Sequence, residues 1–194
     1  TFVLSEGGYA ANAEAVTTPP PAEADPSCVG EPFTVRTPGA STIEALVRDV
    51  NAAAPREDRP WRAQDTLKNV VVVAVQPDGA REVFVVGLPG DREVDLRRVE
   101  AALAPAEVDL AGPEDLAAYP ELVPGYIGPQ VLGPQSSRRG DRPRYLLDPR
   151  IARGSRWVTG ANQADTHVVD LVYGRDFEAD GTIEAAEIRD GDQA

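Results

Sequence analysis

The chain has one lysine, Lys68, and one histidine, His167. With 18 of its 19 basic residues arginine, a retained lysine suits a task that needs a compact ammonium rather than a planar guanidinium fork. It reads equally as chance composition. His167 falls in an alternating run, where it shares a face with Val169, Leu171 and Tyr173, so its plain reading is a half-buried imidazole satisfied by a neighbour. Gly125-Tyr126-Ile127-Gly128-Pro129 offers two glycines and a proline stop, a loop whose bare backbone can approach a ligand. A Ser/His/Asp hydrolase built on His167 lacks the Gly-x-Ser-x-Gly elbow.

Two charged segments invite other chemistry. Residues Asp176 to Glu187 come close to a calcium loop, with oxygen donors at loop positions 1, 3, 5, 9 and 12 and Gly181 at position 6. Glu178 at position 3 is too long for that geometry, and a strand-like run precedes the segment, so it reads as a solvated acidic tail. Arg138, Arg139, Arg142, Arg144, Arg150, Arg153 and Arg156 stand against only Asp141 and Asp148 over the same stretch. That excess could receive a phosphate backbone. It reads equally as a solvated stretch balancing acidic neighbours.

The 194 residues carry a net charge of −13, which disfavours an autonomous DNA or RNA binder. No apolar run approaches the ~20 residues of a membrane helix. Cys28 alone gives neither an internal disulfide nor, so far in sequence from His167, a zinc set, and the expected location is cytoplasmic. A start at Thr1-Phe2-Val3-Leu4 without methionine reads as a processed product or a piece of a longer protein.

The elements that must position these residues follow from periodicity. Thr17 to Pro26, with three consecutive prolines, reads as a linker or surface loop. Ser41-Thr42-Ile43-Glu44 reads as a capping box opening an amphipathic helix over roughly 41–53, with Ile43, Leu46, Val47 and Val50 on one face. Val70 to Val75, Pro77-Asp78-Gly79 and Glu82 to Leu88 predict a hairpin whose first strand is buried on both faces. Leu96, Val99 and Leu103 mark a second helix and Pro113 a short third. Strands are expected at 144–147, 156–159 and 166–173. The order is not a strict βαβ alternation, so the fold class is α/β in the broad sense, an α+β domain with a mixed β-sheet core flanked by helices.

Taken in order, Gly8-Tyr-Ala-Ala-Asn12, Thr37-Pro-Gly39 before Thr42-Ile43-Glu44, Thr66-Leu67-Lys68, Gly90-Asp91-Arg92-Glu93, Gly125-x-x-Gly-Pro129, Leu147-Asp148, Gly160-Ala-Asn162, His167 and Gly174-Arg-Asp-Phe177 resemble the insertion (editing) domain of bacterial prolyl-tRNA synthetase. The likeness covers most of the chain. It departs at Ser5, Glu6, Asp95, Asp170 and Tyr173, none of which is the lysine, the loop or the histidine.

The resemblance implies an editing-domain-like fold and an aminoacyl-tRNA deacylase that hydrolyses Ala-tRNA(Pro) within a proline-tRNA ligase. Its alternative is a non-catalytic insertion module that positions tRNA or stabilises the synthetase. Lys68, His167 and Gly125 are implied as catalytic residues, and Gly128, Pro129 and Asp148 as substrate-binding ones. No metal or cofactor is expected for editing, ATP serving only the parent's aminoacylation domain. The implied partners are the 3′ end of mischarged tRNA(Pro) and the remainder of the synthetase, with neither membrane nor DNA. By the same likeness, residues 1–35 are a connector, 36–178 the editing domain and 179–194 an acidic tail leading back to the synthetase body.

Overall fold

The computed structural model describes residues 2–4, 10–136 and 142–192. A two-stranded ribbon joins β1 (Phe2–Leu4) to β2 (Ala10–Asn12). The body holds β3 (Phe33–Arg36), α1 (Ile43–Ala53), β4 (Leu67–Val75), β5 (Arg81–Pro89), α2 (Leu96–Leu103), β6 (Glu107–Leu110), α3 (Pro113–Leu116), β7 (Arg144–Leu147), β8 (Arg156–Gly160), β9 (Thr166–Val172) and β10 (Gly181–Thr182). One mixed sheet has the order β10-β7-β5-β4-β6 and a smaller antiparallel one the order β3-β9-β8, which bears out the expected α+β class.

The β4/β5 hairpin is the spine, and alternation sets what each face meets. Leu67, Val71 and Val85 point between the two sheets, where they pack with Tyr145, Leu147, Trp157, Val168 and Leu171. Val72, Ala74, Phe84 and Val86 point the other way, onto Val99 of α2. On the far face of the small sheet, Leu46 and Val50 of α1 pack with Trp61, Val158 and Val169. The layers therefore run α2, large sheet, small sheet, α1. Asn69 shares the inter-sheet face with Leu67 and Val71, while Lys68 is turned to the opposite side, toward the loop that leads into α2.

Three expectations change in detail. The N-cap of α1 is Thr42 rather than Ser41: its hydroxyl accepts from the N–H of Ala45, and its extended backbone leaves Ile43 as the first helical residue. The segment read as a solvated acidic tail is built into the sheet. Its strand β10 pairs in parallel with β7, Ile183, Ala185 and Ala186 are buried, and the N–H of Ile183 donates to Leu147 O. Its carboxylates diverge: Asp176 accepts from the N–H of Val172, Glu178 faces Arg153, Asp180 faces Arg142, and Glu184 faces Arg98. Among the described residues no group of three or more acidic, histidine or cysteine side chains could hold a metal ion. The earlier part read as connector also packs in places. Val16 is buried, and Phe33–Arg36 pairs antiparallel with β9.

The arginine run is likewise spent inside the domain. Arg142 forms a bidentate ion pair with Asp180, Arg150 meets Asp148 and Asp192, Arg153 meets Glu178, Arg156 meets Asp58 and Asp170, and Arg144 lies over the Phe84 ring at 5.4 Å. Arg138, Arg139 and Asp141 lie outside the described residues.

Arg98 of α2 is fully buried. Its guanidinium donates to Ala13 O at 2.5 Å, to Val16 O at 3.0 Å and to Glu184 Oε2 at 2.5 Å. The same Glu184 carboxylate accepts from the N–H and the hydroxyl of Thr18.

Candidate active site

A cleft of about 420 Å³ opens where the start of β4, the N-terminal turn of α1, the 125–129 loop and the β8/β9 edge meet. Lys68, Gly125 and His167, drawn from three distant stretches of sequence, all line it. Glu44, Asn69, Glu93 and Thr159 line it too.

His167 is 4% exposed, and its Nδ1 lies 2.6 Å from Thr37 Oγ1. Burial pushes the imidazole pKa down from 6.5 to about 4, so the ring is neutral at physiological pH. Thr37 is wholly buried, and among the described residues its hydroxyl has no acceptor other than this nitrogen. The bond therefore assigns Thr37 O–H as donor and leaves the proton on Nε2, the ring edge free to donate to a ligand. The Tyr126 ring packs tilted against the imidazole at 5.4 Å, and its hydroxyl donates to Asp165. Asp165 also accepts from the N–H of Gly39, and these bonds hold its carboxyl below the usual range. One carboxylate thus fixes both the turn that carries Thr37 and the ring that flanks His167.

The glycine loop is held by side chains to which the sequence attached no role. Asn162 accepts from the N–H of Gly128 and donates to Gly128 O, while Asn69 donates to Ile127 O and to Thr159 Oγ1 and accepts from the Tyr145 hydroxyl. Gly125 has φ +82°, which favours glycine. Gly128 and Gly160 pack backbone to backbone: a Cβ on Gly128 would collide with Gly160 O, and one on Gly160 with Tyr126 O. Because the Gly128 N–H is committed to Asn162, the amides of Gly125 and Ile127 are the loop donors left without a partner among the described residues. Pro129 is buried and starts a single 3-10 turn that anchors the loop's far end; neither it nor Gly128 is on the cleft wall.

Lys68 Nζ donates to Glu93 Oε2 at 3.0 Å across the cleft. Asp148 is not brought to the site. It is fully buried at the end of β7, where its carboxylate accepts from the N–H groups of Ala185, Ala186 and Arg150 and from the Arg150 guanidinium. It ties β7 to the C-terminal segment, and its place next to a strand end gave no hint of that.

The model of the aminoacyl-tRNA editing domain matches residues 37–176, a span that begins at Thr37 and contains every cleft residue named above. The chain belongs to the aminoacyl-tRNA editing domain family. Proline–tRNA ligase of Cutibacterium acnes is 54% identical over 194 residues, all of this chain and 33% of the relative. Proline–tRNA ligase of Kineococcus radiotolerans is 54% identical over the same length and share, and that of Bifidobacterium adolescentis is 49% identical over 210 residues, again all of this chain and 35% of the relative. This editing domain therefore spans about a third of the length of the curated relatives it matches. No helix among its described residues is long and apolar enough to cross a membrane.

Proposed function

We propose that the domain hydrolyses the ester bond of Ala-tRNA(Pro), acting in the cytoplasm as the editing part of a prolyl-tRNA synthetase. The observation that carries this reading is the convergence of Lys68, Gly125 and His167 on one small cleft. A synthetic site shaped for proline cannot strongly reject alanine, since a missing methylene is worth only about 1–3 kcal/mol, and a second, smaller site is the remedy. In this reading the Lys68 ammonium meets a phosphate or ribose oxygen of the 3′ end as a point charge. The Nε2–H of His167 donates to the terminal ribose. The unclaimed amides of Gly125 and Ile127 are placed to stabilise charge on the ester carbonyl oxygen as water attacks. No metal or cofactor takes part, so deacylation is expected to survive exhaustive chelation.

The test is made in the full-length synthetase. Lys68→Ala and His167→Ala should each leave Ala-tRNA(Pro) intact while proline charging persists. Loss of charging with retained deacylation overturns the reading and favours a module that positions tRNA without hydrolysing it.

A further inference from the structure

The cleft is an odd receptor for a polyanion. Among the described residues it carries one cation, Lys68, a neutral imidazole, and two carboxylates, Glu44 and Glu93. Glu44 lies in the first turn of α1, where the helix dipole already favours a negative charge. Glu93 has no such support: its side chain is 77% exposed and among the described residues its one ionic partner is Lys68. Its backbone, by contrast, is fixed on both sides, the N–H donating to Glu187 Oε1 at 3.0 Å and the carbonyl accepting from the N–H of Glu187 at 2.9 Å. An exposed carboxylate on a backbone fixed from both sides thus stands beside the ammonium that the editing reading assigns to an RNA oxygen.

Once Lys68 turns to that oxygen, Glu93 is left facing a phosphate chain with no counter-charge, which costs affinity. An aminoacyl ester supplies the missing charge itself. Its α-amino group, which titrates at about 8 in peptides, is its one cationic centre. We propose that Glu93 determines specificity by exchange of partners: substrate binding opens the Lys68–Glu93 pair, Lys68 passes to the RNA and Glu93 takes the α-ammonium of the acyl group. This rests on the editing reading and adds to it a reason for the domain to prefer free aminoacyl esters over esters that lack the amine.

The probe is alanyl-tRNA(Pro) against the same tRNA deaminated to its lactyl ester, which replaces the ammonium by a hydroxyl with little change of size. Both are presented to the full-length synthetase and to its Glu93→Gln variant, with spontaneous hydrolysis subtracted. Wild type should hydrolyse the alanyl ester at least about tenfold faster, as loss of one charge-assisted contact implies. Glu93→Gln should bring the two rates to within about twofold of each other by slowing the alanyl ester alone. A variant that slows both esters equally, or neither, overturns the proposal while leaving editing intact. A wild type that prefers neither ester overturns it as well. A wild type that fails to hydrolyse alanyl-tRNA(Pro) overturns the editing reading, and this one falls with it.

Discussion

Thr37 Oγ1 and His167 Nδ1 lie 2.6 Å apart although 130 positions separate them in the chain. The contact follows from strand pairing: β3 runs antiparallel to β9 with Arg36 opposite Thr166, and the next residue, Thr37, turns back over the ring of His167. A buried hydroxyl with one acceptor fixes which imidazole nitrogen keeps its proton, and with it what the ring can offer a ligand.

That environment makes a pH prediction. The folded imidazole titrates at about 4 and the unfolded one near 6.5, so between these values the unfolded chain binds more protons. The contribution to stability is complete above pH 6.5 and is lost as pH falls through 4, amounting to up to about 3 kcal/mol. Proton NMR of the single histidine should show no titration above pH 5, and the urea midpoint should fall across the window. An imidazole titrating near 6.5 contradicts the buried neutral state.

Lys68→Arg should fold normally and lose most deacylation, on the order of 1–3 kcal/mol of transition-state stabilisation. The wider guanidinium keeps the charge but brings a planar fork into the cleft where the compact ammonium meets Glu93. Single-turnover deacylation within twofold of wild type would mean that Lys68 is an ordinary surface charge.

Gly128→Ala and Gly160→Ala each place a Cβ against a backbone carbonyl, so the loop must part from the end of β8. Each is expected to cost roughly 1–3 kcal/mol of stability and to abolish deacylation by displacing the Gly125 and Ile127 amides. Gly112→Ala is the comparison, since its nearest neighbour, Asp115 Oδ2, lies 3.7 Å from the added carbon. Thermal melts of the three variants side by side check the contrast.

Asp148→Asn puts an amide against three N–H donors, in a site where the carboxylate is 0% exposed. Stability should drop by about 2–4 kcal/mol, while deacylation per folded molecule stays near wild type because the residue is away from the cleft. A normal melting temperature with lost activity would restore it to the pocket.

Periodicity carried the hairpin, α1, α2 and the strands at 144–147, 156–160 and 166–172, since each has a run of Val, Leu or Trp long enough to declare its period. It missed β3, β6 and β10, which are edge strands of two to four residues and owe their form to an available partner. The site divides the same way. Lys68, Gly125 and His167 stood out by rarity or by backbone demand. Asn69 and Asp165 did not, and Asn162 entered only within its Gly160-Ala-Asn162 motif with no role attached, because a polar residue that clamps a loop from a strand end looks, in one dimension, like any solvated one. The arginine run left two readings open for the converse reason: charge that is neutralised across the fold has no local signature, and partners of Arg142, Arg150 and Arg153 come from the C-terminal segment.

The clasp at Arg98 has a mechanical meaning. The Arg98 guanidinium holds Ala13, Val16 and Glu184, and Glu184 in turn holds Thr18, so an early and a late segment of the chain share one anchor on α2. Losing that one side chain would therefore unfasten both segments together, while the β4/β5 ladder stays closed.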